Sequence, residues 1–176
     1  MRIGIYGGSF NPVHFGHIGL AEWTIAHTDL DQVWMMVSPN NPLKDASILS
    51  DEQLRLSALR TALKDHSASL VACDFEFHLP RPNYTANTMR ELVKEYPEHE
   101  FSLLIGEDNW HIFSQWREYE YLLSHFRVFV YPRHSALSID KQFPIHSQIA
   151  KDVVFLHDAP YFDISSTELR TLQKGC

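Results

Sequence analysis

The apolar run Ile3-Gly4-Ile5-Tyr6 leads without a break into Gly7-Gly8-Ser9-Phe10-Asn11-Pro12-Val13-His14-Phe15-Gly16-His17-Ile18. No other stretch constrains the fold as strongly: a short strand enters a glycine turn, and the turn enters a helix. Glycines at 7 and 8 let the backbone turn sharply and let a ligand approach main-chain N–H groups. The start of the following helix adds orphan donors and a positive dipole end, which favour an anion such as phosphate. His14 and His17 lie three apart in its predicted first turn, so both imidazoles share one helix face. Alone, the two histidines would read as incidental; behind this glycine turn they read as a site that holds and polarises a phosphate. The Walker loop is excluded, because no Gly-Lys-Ser/Thr follows Gly7-Gly8, and the fingerprint G-x-G-x-x-G is also absent. The His-x-Gly-His core that follows fits neither pattern.

Strand-like runs and helical periods alternate through the rest of the chain. Strands are predicted at Ile3–Tyr6, Gln32–Ser38, Leu70–Phe77, Phe101–Ile105, Arg127–Tyr131 and Val153–His157. Helices are predicted near Ile18–His27, Asp51–Lys64, Thr85–Tyr96 and Tyr119–Ser124. This alternation predicts an α/β fold, a doubly wound and mostly parallel sheet with helices on both faces. Ligands in such sheets bind beyond the carboxyl ends of the strands, where the glycine turn lies. Ser50-Asp51-Glu52-Gln53 reads as a capping box for a helix carrying Leu54, Leu56, Leu59 and Leu63. Pro39, Pro42, Pro80, Pro82 and Pro97 all fall between predicted elements, where a missing N–H does no harm. Residues 134–152 show no period and are expected to form a surface loop. With 44% apolar residues in 176 and no linker, repeat or low-complexity tract, one domain over 1–176 is expected.

Charge and cysteine content exclude some classes. A net charge of −7 is opposite to the basic footprint of a nucleic-acid backbone binder, although a local cationic pocket still suffices for a nucleotide. Cys73 and Cys176 lie far apart, too few for a disulfide framework or a Cys-x-x-Cys metal site, and they suit a reducing compartment. No signal peptide and no apolar run near 18 residues is present, so a soluble, cytoplasmic protein without membrane contact is expected.

A second constellation follows near the C-terminus, Asp163-Ile164-Ser165-Ser166-Thr167-Glu168-Leu169-Arg170. Ser165 with Glu168 fits a capping box, and three hydroxyls at a helix start suit phosphate oxygens. Arg170, about one turn on, presents a fork able to clamp a polyphosphate. Taken alone this is an ordinary helix start. Its pairing with the first loop changes the reading.

Together the two end motifs resemble those of the bacterial nicotinate-mononucleotide adenylyltransferases. Pro82-Asn83-Tyr84-Thr85, Ile105-Gly106-Glu107-Asp108-Asn109 and Phe113-Ser114-Gln115-Trp116 resemble that family's middle blocks, in the same order, so the likeness runs from Ile3 to Arg170. The resemblance implies a Rossmann-like nucleotidyltransferase fold and the formation of nicotinate adenine dinucleotide and pyrophosphate from ATP and nicotinate mononucleotide, with Mg²⁺. It implies that Gly8, Ser9, Phe10 and His17 meet ATP, with His17 on the phosphates and His14 beside it. Ser165, Thr167 and Arg170 would hold the outer phosphates, and Gly106 and Asp108 the adenosine ribose. Tyr84, Thr85 and Trp116 would line the pyridine pocket, with Trp116 stacked on the ring. His17, His14 and Arg170 are therefore the expected catalytic set, with no metal ligand among the protein's own residues.

Other residues carry two readings. Lys44, behind Pro39-Asn40-Asn41-Pro42-Leu43, is either a solvated lysine or an ATP phosphate contact; many family members have His where Leu43 stands. Trp110 reads as packing. Asp74 and Glu76 alternate on a predicted strand, as charges at a strand end or as metal ligands. His66, His78, His99 and His146 show no ligand spacing. Family members usually continue beyond the last Arg into a longer helix and a further segment, whereas six residues follow Arg170 here. The helix carrying Arg170 is therefore expected to be weakly supported. Two alternatives stay open: a sister adenylyltransferase using the amide mononucleotide or phosphopantetheine, and a nucleotide-binding module without turnover. A homo-oligomer also stays open.

Overall fold

Arg2–Gly8 (β1) lies inside a six-stranded sheet, flanked by Gln32–Val37 (β2) on one side and Glu100–Gly106 (β4) on the other. The computed structural model describes residues 1–39, 51–133, 152–162 and 168–171. Leu70–Cys73 (β3), Arg127–Tyr131 (β5) and Asp152–Phe155 (β6) complete the order β3-β2-β1-β4-β5-β6, and every pairing is parallel. The helices are Phe15–His27 (α1), Glu52–Ala62 (α2), Thr85–Glu95 (α3), Glu107–His111 (α4) and Tyr119–His125 (α5), with 3₁₀ turns at Phe75–His78 and Phe113–Gln115.

Strand alternation sorts the core into two layers. Ile3, Ile5, Leu103, Ile105, Val128 and Val130 pack with Met89 and Leu92 of α3 and Leu122 and Leu123 of α5. Tyr6, Leu104, Phe129 and Tyr131 pack with Ile18, Leu20 and Ala21 of α1 and Leu56 and Leu59 of α2. Burial on both faces explains why these strands read as near-continuous apolar runs. The chain runs outward from β1 to β3, then returns through α3 to β4 on the other side of β1. That reversal makes β1 and β4 the topological switch point, beyond whose carboxyl ends sheets of this kind bind their ligands.

Several boundaries differ from the sequence reading. The strand expected over Leu70–Phe77 ends at Cys73, and Phe75–His78 turns into 3₁₀. Alternating Asp74-Phe75-Glu76-Phe77 mimics a strand, but tertiary partners decide otherwise: Asp74 pairs with Arg60 at 3.0 Å and buried Glu76 accepts from the Thr88 hydroxyl at 2.8 Å. The strand expected over Val153–His157 starts at Asp152 and ends at Phe155. α4 was not expected, because five residues are too few to show a helical period. Asp51, rather than a residue before it, caps α2, its carboxylate accepting from the Gln53 amide at 2.7 Å. Leu54 is exposed, and Arg55 takes the inner face with Leu56 and Leu59. Burial pushes the Cys73 thiol up to about 11, so it stays protonated and unreactive at neutral pH. Among the described residues, no helix is long and apolar enough to cross a membrane.

Candidate active site

The first loop turns on a residue other than its glycines. Gly7 and Gly8 lie within β1, no glycine among the described residues has positive φ, and the left-handed residue of this loop is Phe10 at φ 45°. Gly8 serves by its missing side chain, since a Cβ there would come within 3.2 Å of the Phe10 ring. Phe10 is buried at 2% exposure and meets His17 edge-on, centroids 5.1 Å apart, and Tyr6 at 5.6 Å. The Tyr131 hydroxyl donates to that of Tyr6 at 3.4 Å, and burial raises the pKa of both.

His14 is the N-cap of α1 with extended backbone, not a residue of its first turn. The two imidazoles nevertheless stack, 3.6 Å between centroids and 27° between planes. The His14 amide donates to His17 Nδ1 at 3.2 Å. A ring nitrogen that accepts carries no proton, so the His17 proton sits on Nε2 and points a donor away from the backbone. Buried His14 Nδ1 has no hydrogen-bond partner among the described residues.

Burial, and then the Arg133 charge, lower the His14 pKa below its ordinary 6.5. A group so shifted binds fewer protons folded than unfolded, so its stabilising contribution is complete above about 6.5 and lost as pH falls below it. Urea denaturation of the wild type and of His14→Gln at pH 7.5 and 5.5 checks this. The wild type is expected to lose more stability on acidification than the variant; equal losses would remove His14 as the cause.

At the end of β4, Gly106 caps α4 and Asp108 stands in its first turn. The Asp108 carboxylate accepts from Arg133 Nε at 3.3 Å. A Cβ on Gly106 would lie 2.5 Å from Asp108 Oδ1 and 3.0 Å from Arg133 Nε, so only glycine leaves this pair its place. From the far end of the chain, Arg170 in the helical turn 168–171 donates to the Asn11 carbonyl of the first loop. Phe162 packs against α1, where a Cβ on Gly19 would lie 2.6 Å from its ring.

The third cluster lies at α3 and the Phe113–Gln115 turn. Tyr84 is the N-cap of α3 and Thr85 its first residue. Half-buried Trp116 rests on fully buried Phe113, centroids 4.9 Å apart. Arg117, exposed, lays its guanidinium 4.9 Å from the Tyr84 ring centre and joins the two segments. Trp110 is buried against Phe113 and Phe155, in agreement with a packing role. Lys44, Ser165 and Thr167 lie outside the described residues.

A family model described as cytidylyltransferase-like matches residues 5–172. A probable nicotinate-nucleotide adenylyltransferase of Bacteroides fragilis (strain YCH46) is 45% identical over 96% of this chain and 80% of its own length. The chain belongs to this family. A second member, from Flavobacterium psychrophilum, is 44% identical over 97% of this chain and 85% of its own. The Plasmodium falciparum nicotinic acid mononucleotide adenylyltransferase complexed with NaAD superposes with TM-score 0.74 at 19% identity, over 97% of this chain and 82% of that one. A Vibrio parahaemolyticus structure described as a putative nicotinate-nucleotide adenylyltransferase gives 0.68 at 21%, covering 99% and 88%. At those identities the likeness speaks for the fold: the doubly wound, Rossmann-like sheet of a nucleotidyltransferase.

For this family member, sequence reading missed Arg133 and Arg55. Arg133 lies just beyond the carboxyl end of β5, and that position was the available signal. Arg55 gave none, because an arginine on an amphipathic helix ordinarily faces water.

Proposed function

We propose that the protein transfers the adenylyl group of ATP, taken up with Mg²⁺, to nicotinate mononucleotide, forming nicotinate adenine dinucleotide and pyrophosphate in NAD biosynthesis. The observation that carries this reading is the meeting of Arg170 with the loop that ends in the stacked His14–His17 pair. Relatives named for this reaction support it. An oxygen of the mononucleotide phosphate attacks the α-phosphorus of ATP in line. The bond to the bridging oxygen breaks, and pyrophosphate leaves with that electron pair. The nucleophile is already ionised near neutrality, a phosphate's second pKa being about 6, so no general base and no covalent enzyme intermediate are required. What opposes reaction is the approach of two polyanions. Alignment and fixed donors must overcome it.

His17 Nε2–H, the amides at the start of α1 and the Arg170 guanidinium supply those donors, with His14 fixing the His17 ring. Gly8, Ser9 and Phe10 shape the loop around ATP, and Gly106 and Asp108 take the ribose. Ser165, Thr167 and Lys44 add phosphate contacts by family resemblance. Tyr84, Thr85 and Trp116 receive the pyridine ring. Mg²⁺ enters as part of the ATP substrate, held by phosphate oxygens and water. Such chemistry belongs in the cytoplasm.

Pyrophosphate release from ATP and Mg²⁺, with nicotinate mononucleotide and its amide as parallel acceptors, tests the reading. Release with a strong preference for the acid is expected; ATP binding without release would overturn it in favour of a binding module. Arg117 supports the acid preference, being an exposed cation that lies over the Tyr84 ring and beside the Glu118 charge. Arg117→Gln is expected to lower kcat/KM for the acid about tenfold, the scale of one charge-assisted hydrogen bond, and to leave the amide nearly unchanged. Equal losses on both acceptors would remove Arg117 from acid recognition.

A further inference from the structure

Arg55 of α2 is only 3% exposed, although arginine is rarely buried without partners. Its Nη1 donates to the Ser9 carbonyl at 2.6 Å and to the Ser38 carbonyl at 2.9 Å, and Nη2 donates to the Pro39 carbonyl at 3.3 Å. One guanidinium thus joins the loop after β1 to the loop after β2. The Ser38 amide reinforces the join by donating to the Gly8 carbonyl at 2.9 Å.

The same Ser38 faces the other way. Its hydroxyl lies beside the carboxyl group of Glu76, a second buried ionisable side chain at 8% exposure. That carboxyl accepts from Thr88 of α3 at 2.8 Å, and the Thr88 hydroxyl also lies 3.3 Å from the Tyr84 carbonyl. The Glu76 backbone carbonyl accepts from Asn83 Nδ2 at 3.2 Å, one residue before Tyr84. Buried ionisable groups in one polar network are costly unless their hydrogen bonds are met, and here the bonds run between the first loop and the segment that carries Tyr84.

We propose that Arg55, Ser38 and Glu76 form a buried tie that sets the position of the ATP loop relative to the acceptor pocket. Arg55 and Glu76 are positioning residues; neither touches substrate. The inference rests on the two-substrate reading above, because it needs ATP at the first loop and the mononucleotide at Tyr84. A tie of this kind has a signature that local stabilisation lacks: damage at one end is felt by the substrate at the other.

Steady-state kinetics with both substrates varied, on the full chain, test this with Arg55→Lys, Ser38→Ala and Glu76→Gln. Thermal denaturation confirms that each variant is folded. Glu76→Gln, at the acceptor end, is expected to raise the KM for ATP several-fold, toward tenfold. Arg55→Lys, at the ATP end, is expected to raise the KM for nicotinate mononucleotide by a similar factor. Ser38→Ala, the mildest change and the one that keeps the question answerable should the others not fold, is expected to raise both. If each variant alters only the KM of its nearer substrate, or lowers the melting temperature with both KM values within twofold of wild type, the tie does not exist. Should the wild type release no pyrophosphate, the adenylyl-transfer reading fails, while ATP affinity of Glu76→Gln by calorimetry still decides the tie: unchanged affinity overturns it.

Discussion

His17→Ala is expected to lower kcat by about 10²–10³, the usual cost of removing one donor aimed at charge that builds up in a transition state. The expectation follows from the orientation of the ring. The His14 amide donates to Nδ1, and Phe10 packs edge-on with the same imidazole, so the ring is held with its proton on Nε2. The donor needs no movement when the reaction occurs, which is the condition under which such a group is most effective. The variant also loses the acceptor for the His14 amide, a cap worth about 0.5–2 kcal/mol, so a modest fall in melting temperature accompanies it. These two effects separate cleanly in kinetics. Loss of transition-state stabilisation lowers kcat and kcat/KM together, whereas partial unfolding lowers only the amount of active enzyme, which active-site titration measures. A folded His17→Ala protein retaining kcat within about threefold of wild type would sink the role.

Phe113→Ala is expected to be the most damaging single core change near the site. Phe113 is 0% exposed, and its ring lies 5.4 Å from Trp110 and 4.9 Å from Trp116. Removing a fully buried phenyl ring costs about 3–5 kcal/mol, because the transfer free energy and the cavity left behind add. A domain of this size commonly has about 5–15 kcal/mol of stability, so the variant approaches the threshold of folding. Urea denaturation measures the loss as a shift in midpoint with little change in slope. The functional consequence is specific: Trp116 loses the ring beneath it, so the KM for the mononucleotide is expected to rise more than that for ATP. A loss below 1 kcal/mol, or equal changes in both KM values, would show that Phe113 does not support Trp116.

The first loop and the helix that follows it were legible in the chain itself because their signals are local. An apolar run, two glycines and a histidine pair at helical spacing need only neighbours in sequence to be read. The alternation of strands and helices was legible for the same reason, and it predicted the parallel, doubly wound sheet. Where local signals were ambiguous the reading slipped. Asp74-Phe75-Glu76-Phe77 has the period of a strand, yet Arg60 and Thr88 draw its carboxylates elsewhere. Gly7 and Gly8 suggested the turn, yet the left-handed residue is Phe10, held by packing against Tyr6 and His17.

The sequence by itself determined the fold class and the strand–loop–helix unit that opens the chain, and it singled out Arg170, which meets that loop at Asn11, all from residue type and spacing. Only the tertiary structure decided that His17 presents Nε2, that Arg133 belongs beside Asp108, and that a buried Arg55 joins the two loops. Each of these depends on which groups meet across the sheet and on how much water is left between them. A polar side chain's role is set by its burial and its partners, and both come from residues distant in the chain.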